Sequence, residues 1–236
     1  MSDPALEAVA AHALELVSDG AKLGLGTGRA ATAFIAALGA RVRAGLRVVG
    51  VPTSAESAHA ARHAGIPLIE LGEDVLLDLT VDGADEVAPN LDLVKGWGGA
   101  LVAEQIAAAA SKRQVILVGH EKLVRTLGER GRIPVEVIPL ACGLVTRAMR
   151  ALELTPTLRL DPQTHRPSVS ANGNLTLDCA LRAPLLDRAS ARTLESALRA
   201  LHGVVDTGLF LGTAERVLVG HPDGRVEVLH AAPAKR

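Results

Sequence analysis

One stretch of the sequence gathers charge and glycine. Asp82-Gly83-Ala84-Asp85-Glu86 is followed by Lys95-Gly96-Trp97-Gly98-Gly99 and then by Glu104. Carboxylates and an ammonium brought to one place are the groups that general acid–base chemistry uses: one takes a proton, another steadies the charge that develops. Taken singly, each charge reads as a solvated loop residue, and Asp-Gly as a turn. Position is what points to function. The apolar run 75–81 reads as a buried strand, and charge begins where it stops. The C-terminal ends of strands in open parallel α/β sheets line the ligand crevice. Residues 91–94 read as a second short strand ending on Lys95. The Gly-rich turn after it opens an Ala-rich helix that carries Glu104 near its start.

A second candidate lies earlier. Residues 21–25 form a short expected strand, and Gly26-Thr27-Gly28-Arg29-Ala30 opens a helix. Backbone N–H groups at such a turn, with the positive end of the helix dipole, suit an anion, most often phosphate. The pattern Gly24-x-Gly26-x-Gly28 is not the full dinucleotide fingerprint. The next strand, 47–51, runs into Pro52-Thr53-Ser54 with no acid to hold a ribose, and no Gly-Lys-Ser/Thr is present. A small phosphorylated metabolite therefore fits better than a nucleotide. Lys122 follows the buried strand 114–119 and is a further candidate for the same crevice.

The whole chain limits the alternatives. It has 236 residues, 48% of them hydrophobic, enough for one large domain or two small ones. Phe34, Trp97 and Phe210 are the only aromatics, so base stacking is not its business. A net charge of −1 with no basic block argues against nucleic acid. No run is long and apolar enough to span a membrane. Asp3 and Glu7 stand where a signal peptide needs basic residues, so a cytoplasmic location is expected. Cys142 and Cys179 read as structural thiols. His59 and His63 have a metal spacing without the accompanying zincin glutamate, and read as surface or packing residues. No metal site is expected.

The remaining elements follow from periodicity and punctuation. Helical spacing runs over 5–17, and Thr53-Ser54 should cap a helix containing Glu56. Residues 66–71 read as a strand. Residues 133–139, bracketed by prolines, read as an edge or an entry strand. A helix over 143–152, a strand over 157–160, a hairpin-like segment over 171–179 and a helix over 192–201 complete a small α+β unit. Residues 204–210 and the strand 216–219 are expected to return to the first sheet, and 231–236 to fray. The reading is an α/β domain, 1–131 plus 206–236, interrupted by an α+β domain over 132–205.

The motifs resemble those of A-type ribose-5-phosphate isomerases. The resemblance rests on Gly24-Leu25-Gly26-Thr27-Gly28, Asp82 to Glu86, Lys95 to Leu101 with Glu104, and Pro134-Val135-Glu136-Val137-Ile138-Pro139. Asn172-Gly173-Asn174 with Asp178, and Gly203 to Phe210, extend it almost to the C-terminus. It implies a Rossmann-like parallel-sheet domain with an inserted ferredoxin-like domain, a homodimer or higher homo-oligomer, and no cofactor. It implies interconversion of D-ribose 5-phosphate and D-ribulose 5-phosphate through an enediolate. By motif, Glu104 is the general base, and Asp82 with Lys95 opens the ring and handles hydroxyl protons. Asp85 orients hydroxyls, and Gly83, Ala84, Gly96, Trp97 and Gly98 complete the sugar site. Thr27, Gly28, Arg29, Ala30 and Lys122 hold the phosphate end. The chain departs from the family at Arg29 and Ala30, where two hydroxyl residues are usual, at Trp97, where a small or unbranched residue is usual, and at Ala103-Glu104-Gln105. The guanidinium of Arg29 can replace the lost hydroxyls as a bidentate phosphate ligand. Two alternatives stay open: a non-catalytic sugar-phosphate sensor, and a CoA-transferase-like enzyme with a glutamate nucleophile.

Overall fold

A computed structural model describes residues 3–231. Most of the segment expected to fray, 232–236, lies outside them. Tertiary contacts divide the chain into two compact units. Unit 1 comprises Met1–Ala84, Ala103–Leu123 and Gly212–Arg236; unit 2 comprises Asp85–Val102 and Val124–Leu211.

Unit 1 is built on a six-stranded sheet in the order β13-β12-β6-β3-β1-β2. Its strands are β1 (Ala21–Leu25), β2 (Val48–Pro52), β3 (Leu79–Asp82), β6 (Gln114–Gly119), β12 (Arg216–Gly220) and β13 (Val226–His230). All pairs are parallel except β12 with β13. Helices α1 (Pro4–Leu14), α2 (Arg29–Arg43) and α3 (Ala55–His63) belong to this unit, and α4 (Leu101–Ala109) enters it at Ala103. The strands are nearly continuous apolar runs, as burial on both faces requires. Leu23, Leu25, Phe34, Leu38, Val81 and Leu117 form the centre of the core. Ser54 caps α3 through the Ser57 N–H, with Ser57 returning the bond, as the sequence leads one to expect. His59 and His63 are exposed.

Unit 2 holds two antiparallel sheets. The larger has the order β10-β7-β9-β8, from β7 (Ile133–Val137), β8 (Thr155–Leu158), β9 (Leu175–Ala180) and β10 (Val204–Thr207). With α5 (Cys142–Ala151) and α6 (Arg188–Arg199) this is a β-α-β-β-α-β chain path, the ferredoxin-like arrangement. The smaller sheet, β11-β5-β4, is made of Leu209–Phe210, Leu93–Val94 and Glu86–Val87. It and the Glu86 contacts to residues 128 and 130 draw 85–102, 124–131 and 206–211 into the same unit as 132–205.

Several element expectations are corrected. Residues 66–71 form no strand, only a bridge at Leu68 to Gly50; Pro67 has no N–H with which to extend the ladder. Strand β7 is the first strand of its sheet in chain order, the entry strand of the two alternatives, and is internal rather than an edge, lying between β10 and β9. Pro134 is tolerated there because β10 pairs only as far as Val135, and Pro134 presents its carbonyl to the Gly208 N–H at 2.7 Å. Of residues 204–219 only β12 joins the first sheet. Strands β10 and β11 stay in unit 2, and Gly208 turns the chain between them where a Cβ would strike Lys95 O at 2.3 Å. Strand β5 is likewise antiparallel, and Leu91 before it has φ +61°.

Candidate active site

In unit 1 the charged end of β3 is Asp82, which is fully buried. Its Oδ1 accepts the N–H of Thr27 at 3.1 Å and of Gly83 at 2.7 Å, so one carboxylate oxygen joins the β1–α2 turn to the β3 end. Bonds from backbone amides to a carboxylate are charge-assisted and hold it in one orientation. Gly24 in β1 and Gly26 directly after it make this possible. A Cβ on Gly24 would lie 1.9 Å from Thr80 Oγ1, and one on Gly26 2.1 Å from Asp82 Oδ1. Gly28 has φ +93°, a conformation that favours glycine, and immediately precedes α2.

The remaining candidates of this unit occupy different settings. Thr27 Oγ1 is 2.8 Å from Thr53 Oγ1, and Thr53 in turn donates to Leu25 O. Arg29 is exposed, and its guanidinium donates to Asp3 at 2.7 Å. Ala30 is buried, while Gly83 and Ala84 are half-buried. Glu104 lies in the first turn of α4 with only 5% exposure, at the helix end whose dipole favours a carboxylate. Lys122 closes the short turn His120–Lys122 directly after β6 and is half-buried.

In unit 2, Lys95 follows β5 and is 2% exposed. Its backbone N–H donates to Gly208 O at 2.9 Å, and its ammonium stands 5.5 Å from the Phe210 ring centroid. Phe210 thus offers a π face to the buried cation. Gly96 is buried with φ +99°, and a Cβ there would lie 2.7 Å from Leu101 Cβ. The Trp97 N–H donates to Asp85 Oδ2 at 2.9 Å, which joins two of the candidates directly. Gly98 is exposed. The indole N–H of Trp97 donates to Arg132 O at 3.2 Å, and the Arg132 and Arg130 guanidinium carbons lie 4.8 and 5.7 Å from its ring centroid. Glu86 serves the framework, since its carboxylate accepts the N–H groups of Gly128 at 2.6 Å and Arg130 at 2.7 Å. Burial pushes its pKa up against the pull of those two amides.

Arg130, Arg132 and Arg159 are neighbours of these candidates that motif and spacing did not single out, and Asp178 entered only with the Asn172–Asn174 motif, without a role. Arg159 donates to the carbonyls of Gly96 and Trp97 and to both oxygens of Asp178. The signal available in the sequence was a charge placed in each of two otherwise apolar strand runs, Leu158-Arg159-Leu160 and Leu177-Asp178-Cys179.

The family model described as ribose 5-phosphate isomerase A (phosphoriboisomerase A) matches residues 49–224. A ribose-5-phosphate isomerase A of Roseiflexus sp. (strain RS-1) is 44% identical over 229 residues, covering 96% of each chain. The solved ribose 5-phosphate isomerase A of Methanocaldococcus jannaschii is 39% identical with a TM-score of 0.89, covering 97% of this chain and 100% of that one. A solved D-ribose-5-phosphate isomerase in complex with phospho-erythronic acid is 33% identical with a TM-score of 0.90, covering 98% and 100%.

Proposed function

Since the chain belongs to the ribose 5-phosphate isomerase A family and interconverts ribose 5-phosphate and ribulose 5-phosphate, we propose that Glu104 carries the proton between the two carbons. In the open-chain aldose the Glu104 carboxylate removes the proton on C2, and the electron pair moves onto the carbonyl oxygen of C1. In the resulting enediolate the hydroxyl proton passes from the C2 oxygen to the C1 oxygen. Glu104 then returns the proton to C1, leaving the carbonyl at C2. Lys95 and the backbone N–H of Gly98 stabilise the oxyanion, a donor commonly worth about 3 kcal/mol of barrier. Asp82, with Lys95, moves the hydroxyl protons that open the ring. Asp85 orients sugar hydroxyls. Thr27, Gly28, Arg29, Ala30 and Lys122 receive the phosphate end.

The observation that carries these roles is burial. Asp82, Lys95 and Glu104 are exposed by 0, 2 and 5%. Side chains of these types are rarely so buried in a fold that has no use for them. The phospho-erythronic acid bound by a 33% identical relative supports a phosphorylated sugar chain as the ligand here. Membership of the family sets aside the sensor and CoA-transferase-like alternatives. The reading also takes the chain to be a homodimer or higher homo-oligomer of the cytoplasm. No helix among the described residues is long and apolar enough to cross a membrane.

Glu104→Gln tests the central role. The variant keeps the shape of the side chain and loses the base. Its kcat should fall by about 10²–10⁴-fold, the usual contribution of a positioned acid or base, with KM little changed. In deuterated water it should no longer place solvent deuterium on C1 or C2. Wild-type exchange in the folded variant would refute the assignment.

A further inference from the structure

The turn that follows Lys95 is clamped by a residue of the larger antiparallel sheet. Arg159 stands just beyond β8, and its side chain is 11% exposed. Its Nη1 donates to Gly96 O at 2.9 Å and to Trp97 O at 3.2 Å. Its Nε and Nη2 donate to the two oxygens of Asp178 on β9, itself 11% exposed. Arg132 adds a bond to Asp178 at 3.2 Å while its guanidinium covers Trp97. One planar fork therefore spans from a fixed carboxylate to two successive peptide carbonyls. A lysine ammonium cannot span both with that geometry.

Planarity of the peptide turns this clamp into an orientation. In a trans peptide the C=O and the following N–H point in opposite directions, and no cis bond occurs among the described residues. With Gly96 O drawn to Arg159, the Trp97 N–H must point the other way, and there it meets Asp85 Oδ2 at 2.9 Å. With Trp97 O drawn to the same guanidinium, the Gly98 N–H is also turned away from Arg159. The fork thus sets the carboxylate of Asp85 through one peptide and the direction of a backbone donor through the next.

We propose that Arg159, held by Asp178, is a positioning residue of the isomerase: it orients the peptides 96–97 and 97–98, and through them Asp85 and the Gly98 N–H, for the sugar oxygens. The proposal rests on the roles given above to Asp85 and to the Gly98 N–H. It accounts for a buried Arg–Asp pair that the proton transfer itself does not need. It also gives Trp97 a place, since its ring is covered by the second arginine bound to Asp178.

The test is steady-state formation of ribulose 5-phosphate by the full chain with Arg159→Ala, Arg159→Lys and Asp178→Asn. Misplacing a catalytic group by about 1 Å costs about 10²-fold. The expected result is a fall in kcat of that order in Arg159→Ala, a smaller fall in Asp178→Asn, and no recovery in Arg159→Lys. Added guanidinium at low millimolar concentration should partly restore Arg159→Ala, whereas ammonium should not. Leu177→Ala, a cavity on the same strand as Asp178, controls for simple loss of stability. If Arg159→Ala does not fold, Arg159→Lys and Asp178→Asn decide the matter, because both keep size and polarity. The proposal is overturned if folded variants keep wild-type kcat. It is equally overturned if their loss matches that of Leu177→Ala at equal melting temperature and guanidinium restores nothing. Glu104→Gln assayed in parallel keeps the two readings apart: its retained activity would sink the base assignment whatever Arg159 does.

Discussion

Gly26→Ala is the sharpest probe of the Asp82 end. The new Cβ would lie 2.1 Å from Asp82 Oδ1, 2.3 Å from its Cγ and 2.6 Å from its Cα. Ordinary contact begins near 3.4 Å, so the carboxylate must retreat by more than 1 Å and the Cα behind it by about 0.8 Å. The carboxylate cannot rotate out of the way alone, because the Cα is also too close. Retreat breaks the bond from Thr27 N to Oδ1 and widens the β1–β3 pair beyond its last rung, Leu25 with Val81. Overpacking of this kind costs about 1–3 kcal/mol, and a chain of this size loses about 2–4 °C of melting temperature per kcal/mol. With the role proposed for Asp82, its displacement by about 1 Å costs a further 10²-fold or so in kcat. Gly24→Ala supplies the comparison. Its Cβ would strike Thr80 Oγ1 at 1.9 Å, and Thr80 bonds Ser111 and Ala107 O rather than any candidate for the chemistry. Thermal melting and the ribulose 5-phosphate assay should therefore show both variants destabilised, with kcat collapsing only in Gly26→Ala. Equal kcat in the two variants would refute the reasoning that Asp82's exact placement is what Gly26 protects.

Three further outcomes follow from the same coordinates. Burial, reinforced by Glu136, raises the pKa of Asp206 above its ordinary value of 3.8. The folded state then holds this proton more tightly than the unfolded chain, so stability is lost as pH rises from about 3.8 through the raised value. Asp206→Asn should flatten that part of a denaturation series between pH 4 and 7, and an unchanged slope would contradict it. The Cys179 thiol is pushed up to about 11 by burial, so a disulfide reagent at pH 8 should label Cys142 in the native protein and Cys179 only after unfolding. Arg29 is engaged by Asp3 on an exposed surface; if it also receives phosphate, Arg29→Ala should raise KM with kcat unchanged, and Asp3→Asn should not raise it.

The elements with strong local signals were legible from the sequence. Strand β6 is apolar after Gln114 and β1 is apolar but for Lys22, and the Ser54 cap is a local bond between neighbours in the chain. Glu104's place near a helix start was equally plain, because glycines and alanines mark that boundary. What escaped were features decided by distant partners. Strands β4 and β11 are two residues each, too short for any periodicity, and exist only because they pair with β5, whose strand was expected but whose antiparallel partners were not. The edge alternative for β7 failed because the sequence shows Pro134 but not where β10 stops.

The site repeats that division. Its charges were visible, but the groups that hold them were not. Arg159 is 63 residues from Gly96 and 19 from Asp178, and no spacing rule connects such positions. The glycines show the same limit from the other side. A Gly-rich turn between strand and helix suggests a phosphate, and Gly28, with its positive φ before α2, retains that reading. Gly24 and Gly26 have another cause, the side chains of Thr80 and Asp82 pressed against them from the next strand. A short motif can thus carry two physical requirements at once. Here the second one, room for an aspartate, ties the β1–α2 turn to the end of β3: whatever moves the turn also moves Asp82 through the Thr27 N–H.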